Sequence, residues 1–252
     1  MPIPVLPLVS GPGDLFVGLG LPFRALRLIF STRRLFLLSL LCALVTAATL
    51  YALVRFVPSD LARGWVGTGG WRTVAGTALS ILLYVGILVI GALTLPNLAL
   101  APLQDPLSEA TETRLGGFTA PPFSMARLIK GTLTSLVHTL SRLALMLLGF
   151  AILIPLNWIP VAGSIVYAIL SCLWGMWCVT AEYLSGPMAR HLLPFGAVLA
   201  AMWSRPWLST GMGAALYVVL WVPVLNCFLV PLAVVAGTLL FRALPAQAKA
   251  GT

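Results

Sequence analysis

Four consecutive residues, Ser31, Thr32, Arg33 and Arg34, carry the strongest chemical signal in this chain. They stand at the head of a long apolar run, residues 35–57, so two hydroxyls and two guanidinium forks meet a helix start. A helix start exposes backbone N–H groups with no intrahelical partner, at the positive end of the helix dipole. Ser31 or Thr32 is the candidate cap, and the two arginines add charge-assisted bonds, a donor set that suits an oxyanion. The competing reading is an ordinary basic anchor pair at a membrane boundary.

A second group of candidates is acidic. Glu109 and Glu112 lie three apart, hence on one helix face, with Arg114 beside them. They fit a solvated interfacial helix, or charges lining a path once paired, since bare carboxylates repel an anion. Glu182 closes an apolar run and Arg190 follows eight residues on, a candidate ion pair or gate, or a charge at headgroup level. No nucleophile–base set, phosphate loop or metal spacing accompanies them. The four cysteines all lie in apolar segments without a CxxC pair. The sequence therefore gives no catalytic residue, no metal site and no cofactor, and the chain is read as a non-enzyme.

The elements that must hold these residues are apolar to a degree no soluble domain reaches. The chain of 252 residues is 60% hydrophobic and 8% charged, with a net charge of +9. The basic residues flank apolar segments rather than forming a basic domain, which points to membrane surfaces and away from nucleic acid. Residues 14–30, with Arg24 and Arg27 among Leu, Phe and Ile at helical spacing, read as an amphipathic interfacial helix. Two long apolar runs, 35–57 and 73–95, are each long enough to span a hydrocarbon core of roughly 30 Å. The most polar stretch, 104–142, holds a helix predicted to end at Gly116-Gly117.

Two charge-free stretches, 143–181 and 206–241, are each broken internally by proline and asparagine. Pro155, Asn157 and Pro160 mark the first break, and Pro223 and Asn226, with Pro231 beyond, the second. Each stretch is too long for one spanning helix and is expected to fold back as a helical hairpin with these residues at the apex. The first arm, 143–154, measures only about 18 Å as a helix. Extending it backward draws Arg142 and His138 toward mid-membrane, at about 2–3 kcal/mol for the arginine. Partly penetrating hairpins and six full crossings both fit. In either case twelve of the fifteen basic residues fall on one side, which puts both termini in the cytoplasm.

The chain resembles the CysZ-like sulfate transporters and the wider etoposide-induced-protein family of membrane proteins. The resemblance rests on four blocks in order. They are Ala101-Pro102 with Leu107, Glu109, Glu112, Arg114 and Leu115; then Ile159-Pro160 through Gly163; then Ala181-Glu182-Tyr183-Leu184 with Pro187, Ala189 and Arg190; and Val222-Pro223 through Asn226, leading to Pro231 and Gly237-Thr238. It implies an all-α inner-membrane protein with two long transmembrane helices and two hairpins that enter the bilayer partway, assembled as a homo-oligomer. It further implies sulfate uptake for sulfur assimilation, with Arg33 and Arg34 filling the position of the sulfate-holding pair. A non-transporting scaffold or accessory subunit is the alternative. The expected organisation is a disordered segment 1–13, one helical membrane domain 14–242 and a flexible tail 243–252, in the inner membrane of a bacterium.

Overall fold

A computed structural model describes residues 11–56, 78–79, 81–82, 84, 86, 99–100, 103–116, 125–160, 162–220 and 223–244. Among them the regular structure is entirely helical. The helices are α1 (Asp14–Ser31), α2 (Arg33–Phe56), α3 (103–115), α4 (Met125–Leu153), α5 (Ala162–Arg190), α6 (Phe195–Ser204), α7 (Pro206–Leu220) and α8 (Pro223–Ala243). A 3-10 turn, Ile154–Trp158, follows α4. The chain forms two compact units, Met1–Ser39 with Gln104–Thr252, and Leu40–Leu103. Most of the second long apolar run, 73–95, lies outside the described residues.

In the first unit α5 is the hub, packed against α4, α6, α7 and α8, and α1 lies on α7 and α8. The amphipathic pattern of α1 explains its seat. Leu21, Ala25 and Ile29 recur at four-residue spacing and are buried, while Arg24 and Arg27 face outward. Glycines set how closely the helices cross: a Cβ on Gly18 of α1 would strike the Leu208 carbonyl of α7, and one on Gly211 the Leu15 carbonyl of α1. Gly213 meets Met176 of α5 in the same way, and Gly237 of α8 meets Tyr183. In lipid such close backbone approach supplies the packing that hydrophobicity cannot.

Among the described residues three helical stretches are long and apolar enough to cross a membrane: Arg33–Phe56, Ile129–Trp158 and Ala162–Arg190. The arm lengths of the first hairpin differ from the expectation. Helix α4 is one continuous element of 29 residues, about 43 Å long, and runs straight through His138 and Arg142. It does so because both side chains find polar partners on α5 and the turn after it instead of facing lipid. The short-arm argument for partial penetration therefore does not apply to this hairpin. Nor does α5 stop near Glu182; it continues to Arg190. In the second hairpin α7 has 15 residues and stays short, at about 22 Å.

The apices also differ in kind. At the first, Pro155 opens the 3-10 turn and Asn157 donates to the Ile154 carbonyl at 3.4 Å, so its amide serves local backbone. Pro160 follows, and a Cβ on Gly163, the second residue of α5, would collide with the Leu156 carbonyl. At the second, Pro223 is the first residue of α8, a place proline tolerates because its missing N–H has no helical partner. Asn226 consequently stands in the first turn of α8, and Pro231, expected in the turn, lies inside the helix.

Candidate functional site: an open helix start and a charged cluster

At the first candidate the chain breaks between α1 and α2 over a single residue. Ser31 Oγ donates to the Leu28 carbonyl at 3.0 Å, so this hydroxyl closes α1 rather than capping α2. Thr32 is extended (φ −127°, ψ 110°), the backbone state of an N-cap, and its carbonyl accepts from the Phe36 N–H at 2.9 Å. Its Oγ1 is buried without a hydrogen-bond partner. Arg33 and Arg34 are exposed, and neither makes an ion pair among the described residues. The result is a helix start with its first amides, a cap hydroxyl and two guanidinium groups uncommitted.

The second set is assembled from distant segments. Arg190, at the end of α5, donates through Nη1 to Glu112 Oε1 at 3.1 Å and through Nη2 to the Asp105 carboxylate at 3.4 Å. His191 Nε2 meets the other Glu112 oxygen at 2.9 Å. The Glu112 side chain is 1% exposed, so both of its oxygens need these partners, whereas Asp105 is 75% exposed and adds little. Nearby, Ser108 and Thr238 share a 2.8 Å hydroxyl–hydroxyl bond, and Arg242 donates to the carbonyl of Gly116. Gly116 has φ 79°, the left-handed state expected of a residue that ends a helix.

Backbone geometry just past α5 orients this cluster. Leu192 is left-handed (φ 58°), its N–H bonds to the Ala189 carbonyl and the Leu193 N–H to Met188, the paired bonds of a Schellman cap. A branched residue pays about 1 kcal/mol in that conformation, which glycine would avoid. The cap turns His191 toward Glu112 and presents the Leu193 carbonyl to His138 Nε2 at 2.9 Å.

Of the acidic candidates, Glu112 and Arg190 are thus brought together. Glu182 does not meet Arg190; its backbone carbonyl instead accepts from Arg142 at 3.4 Å. Glu109 is half-buried and Arg114 exposed, with no ion pair to either among the described residues. Sequence reasoning missed His191 as a Glu112 partner, because nothing links positions 79 apart. It also missed a buried ion pair between Asp14, at the start of α1, and Arg205, just before α7, at 3.0 Å. The available signal was weak: each is a lone charge at the edge of an apolar element.

A bundle of long apolar helices with buried ion pairs at helix ends defines a polytopic helical membrane protein. The chain belongs to the family described as Sulfate transporter CysZ/Etoposide-induced protein 2.4, whose model matches residues 21–231. Among relatives named Sulfate transporter CysZ, that of Pseudomonas syringae pv. tomato is 35% identical over 144 residues, covering 57% of this chain and 56% of the relative. One from Pseudomonas aeruginosa is 29% identical over 162 residues (64% and 65%), and one from Salmonella paratyphi A 30% over 145 residues (58% and 57%). The matched region thus spans under two thirds of each of these relatives.

Proposed function

We propose that this protein is a permease or channel for a small oxyanion, with sulfate as its substrate, and that it takes up sulfate for sulfur assimilation. It acts in the inner membrane of a bacterium as a homo-oligomer, with both termini in the cytoplasm. Capture occurs at Thr32, Arg33 and Arg34. The observation that carries this reading is the arrangement at one helix start: Arg33 and Arg34 stand exposed without an ion pair among the described residues, beside the unpartnered Thr32 hydroxyl, whereas Arg190 and Arg205 are each held by a buried carboxylate. A site of this composition binds a tetrahedral dianion through several donors at once. Ser31 supports the break from the α1 side.

In this reading Glu112 is neutralised by Arg190 and His191, so its carboxylate does not oppose a passing anion. Glu109 and Arg114 belong to the same cytoplasmic mouth. The relatives' name supports sulfate over other oxyanions.

The test is uptake of radiolabelled sulfate into proteoliposomes. The expected result is uptake above empty vesicles, reduced roughly tenfold or more in Arg33→Ala/Arg34→Ala, since hydrogen bonds to charged groups are the strong ones. Full uptake by a normally inserted double variant removes the capture site. No uptake of sulfate by the unaltered protein removes the substrate.

A further inference from the structure

The two arms of hairpin one bring together a line of polar side chains, Arg142 and the buried Trp174 and Ser171 donors among them, that no ion pair among the described residues uses. Arg142 lies near the middle of α4, where a charge in a membrane-spanning helix is costly and marks a polar interior or a pathway. Its Nη1 reaches only the Glu182 carbonyl at 3.4 Å and Ser185 Oγ at 3.5 Å. No carboxylate lies within ion-pair distance of it among the described residues, so its charge is not neutralised there. One turn earlier on the same face, buried His138 gives Nε2 to Leu193 and leaves Nδ1 buried with no partner.

Helix α5 continues the line. Ser171, Trp174, Cys178, Glu182 and Ser185 recur at three- and four-residue spacing, hence on one face. That face meets α4, because the Trp174 ring lies where a Cβ on Gly149 would be. Trp174 Nε1 and Ser171 Oγ are both buried without a partner. From Ser171 to Ser185 the face runs about 21 Å, most of a hydrocarbon core. A guanidinium and an indole N–H can only donate, so what would satisfy them is an acceptor-rich, negatively charged group. Buried groups left unsatisfied in a fold call for such an explanation.

We propose that the seam between α4 and α5 is a second oxyanion-binding step, centred on Arg142 and extended by Trp174 and Ser171, with the Ser185 hydroxyl, which donates to the Glu182 carbonyl at 2.7 Å, positioning the guanidinium. This rests on the transport reading and places the membrane-crossing step within hairpin one. His138 contributes a buried acceptor for a water that accompanies the ion. Glu182 is the acidic group on this face, and Arg142 meets its carbonyl rather than its carboxylate through Nη1.

The test compares sulfate uptake by proteoliposomes holding the full chain or its Arg142→Gln, Arg142→Lys and Trp174→Phe variants, with sulfate binding measured in parallel. Arg142→Gln is expected to lower the maximal rate roughly tenfold with half-saturation and affinity at the capture site unchanged, since capture lies elsewhere, and Arg142→Lys to restore most of it. Trp174→Phe, which keeps the ring and removes only the donor, is expected to lower the rate about threefold. Wild-type rates in Arg142→Gln, or equal losses in Arg142→Gln and Arg142→Lys, overturn the proposal. Should Arg142→Gln fail to insert, an unchanged rate in Trp174→Phe overturns it. Absence of uptake by the unaltered protein removes the transport reading and this step with it, whereas normal wild-type uptake with unaffected variants removes this step alone.

Discussion

The two hairpins begin from nearly the same sequence logic, a charge-free run broken by proline and asparagine, and end in opposite places. Hairpin one, α4 and α5, turns a broad apolar face outward: Leu136, Leu140, Leu143, Leu147 and Leu148 of α4 are all exposed. Hairpin two, α7 and α8, is enclosed by α1 and α5, with Leu208, Met212, Leu216, Ala233 and Leu240 fully buried. The difference comes from small residues. Gly211 and Gly213 let α1 and α5 close on α7 at backbone distance, and Gly237 does the same on α8, whereas Gly149 of α4 meets only the Trp174 side chain of α5. Lipid and protein interior are about equally apolar, so steric fit rather than hydrophobicity chooses which hairpin is buried.

The comparison can be broken at its anchor. Asp14→Ala removes the buried partner through which α1 grips the start of α7, and is expected to cost about 3–5 kcal/mol, read as a lowered thermal midpoint in detergent. A double variant that also makes Arg205→Met should recover much of that loss. Unchanged stability of the single variant would mean that hairpin two is held without α1.

A paired truncation sharpens the contrast. Met212→Ala in hairpin two, at 0% exposure, should cost about 2–4 kcal/mol, while Leu148→Ala in hairpin one, at 62% exposure, should stay within about 0.5 kcal/mol. Comparable losses at the two positions would show that the outward face of α4 is covered by protein rather than lipid. The smallest effect is expected at the first apex. Asn157 makes one long bond on an exposed turn, so Asn157→Ala should change stability by less than about 1 kcal/mol and leave sulfate uptake intact.

Much of the fold was legible because lipid imposes simple rules. Apolar run length, proline position and the Gly116 stop produced the all-helical class, both hairpins and the end of α3. The arm lengths of hairpin one were not, because run length counts Arg142 and His138 as boundaries. A helix passes through such residues wherever a neighbouring helix supplies polar partners, and those partners lie 40 and 55 residues away. The break at Ser31-Thr32 was legible as a helix start, but not that Ser31 would turn back onto α1.

Sequence by itself determined that this chain is a helical membrane protein of the CysZ/etoposide-induced-protein family, with an arginine pair placed at a helix start. It did so because hydrophobic span, helix breakers and block order are local properties of the chain. Only tertiary structure decided which charges are spent and which are free. Glu112 with Arg190 and His191, and Asp14 with Arg205, are pairs across 78, 79 and 191 positions, fixed by helix packing and not by spacing. Arg33 and Arg34 stood out in sequence as a pair at a helix start, but that they make no ion pair among the described residues follows from where the carboxylates went.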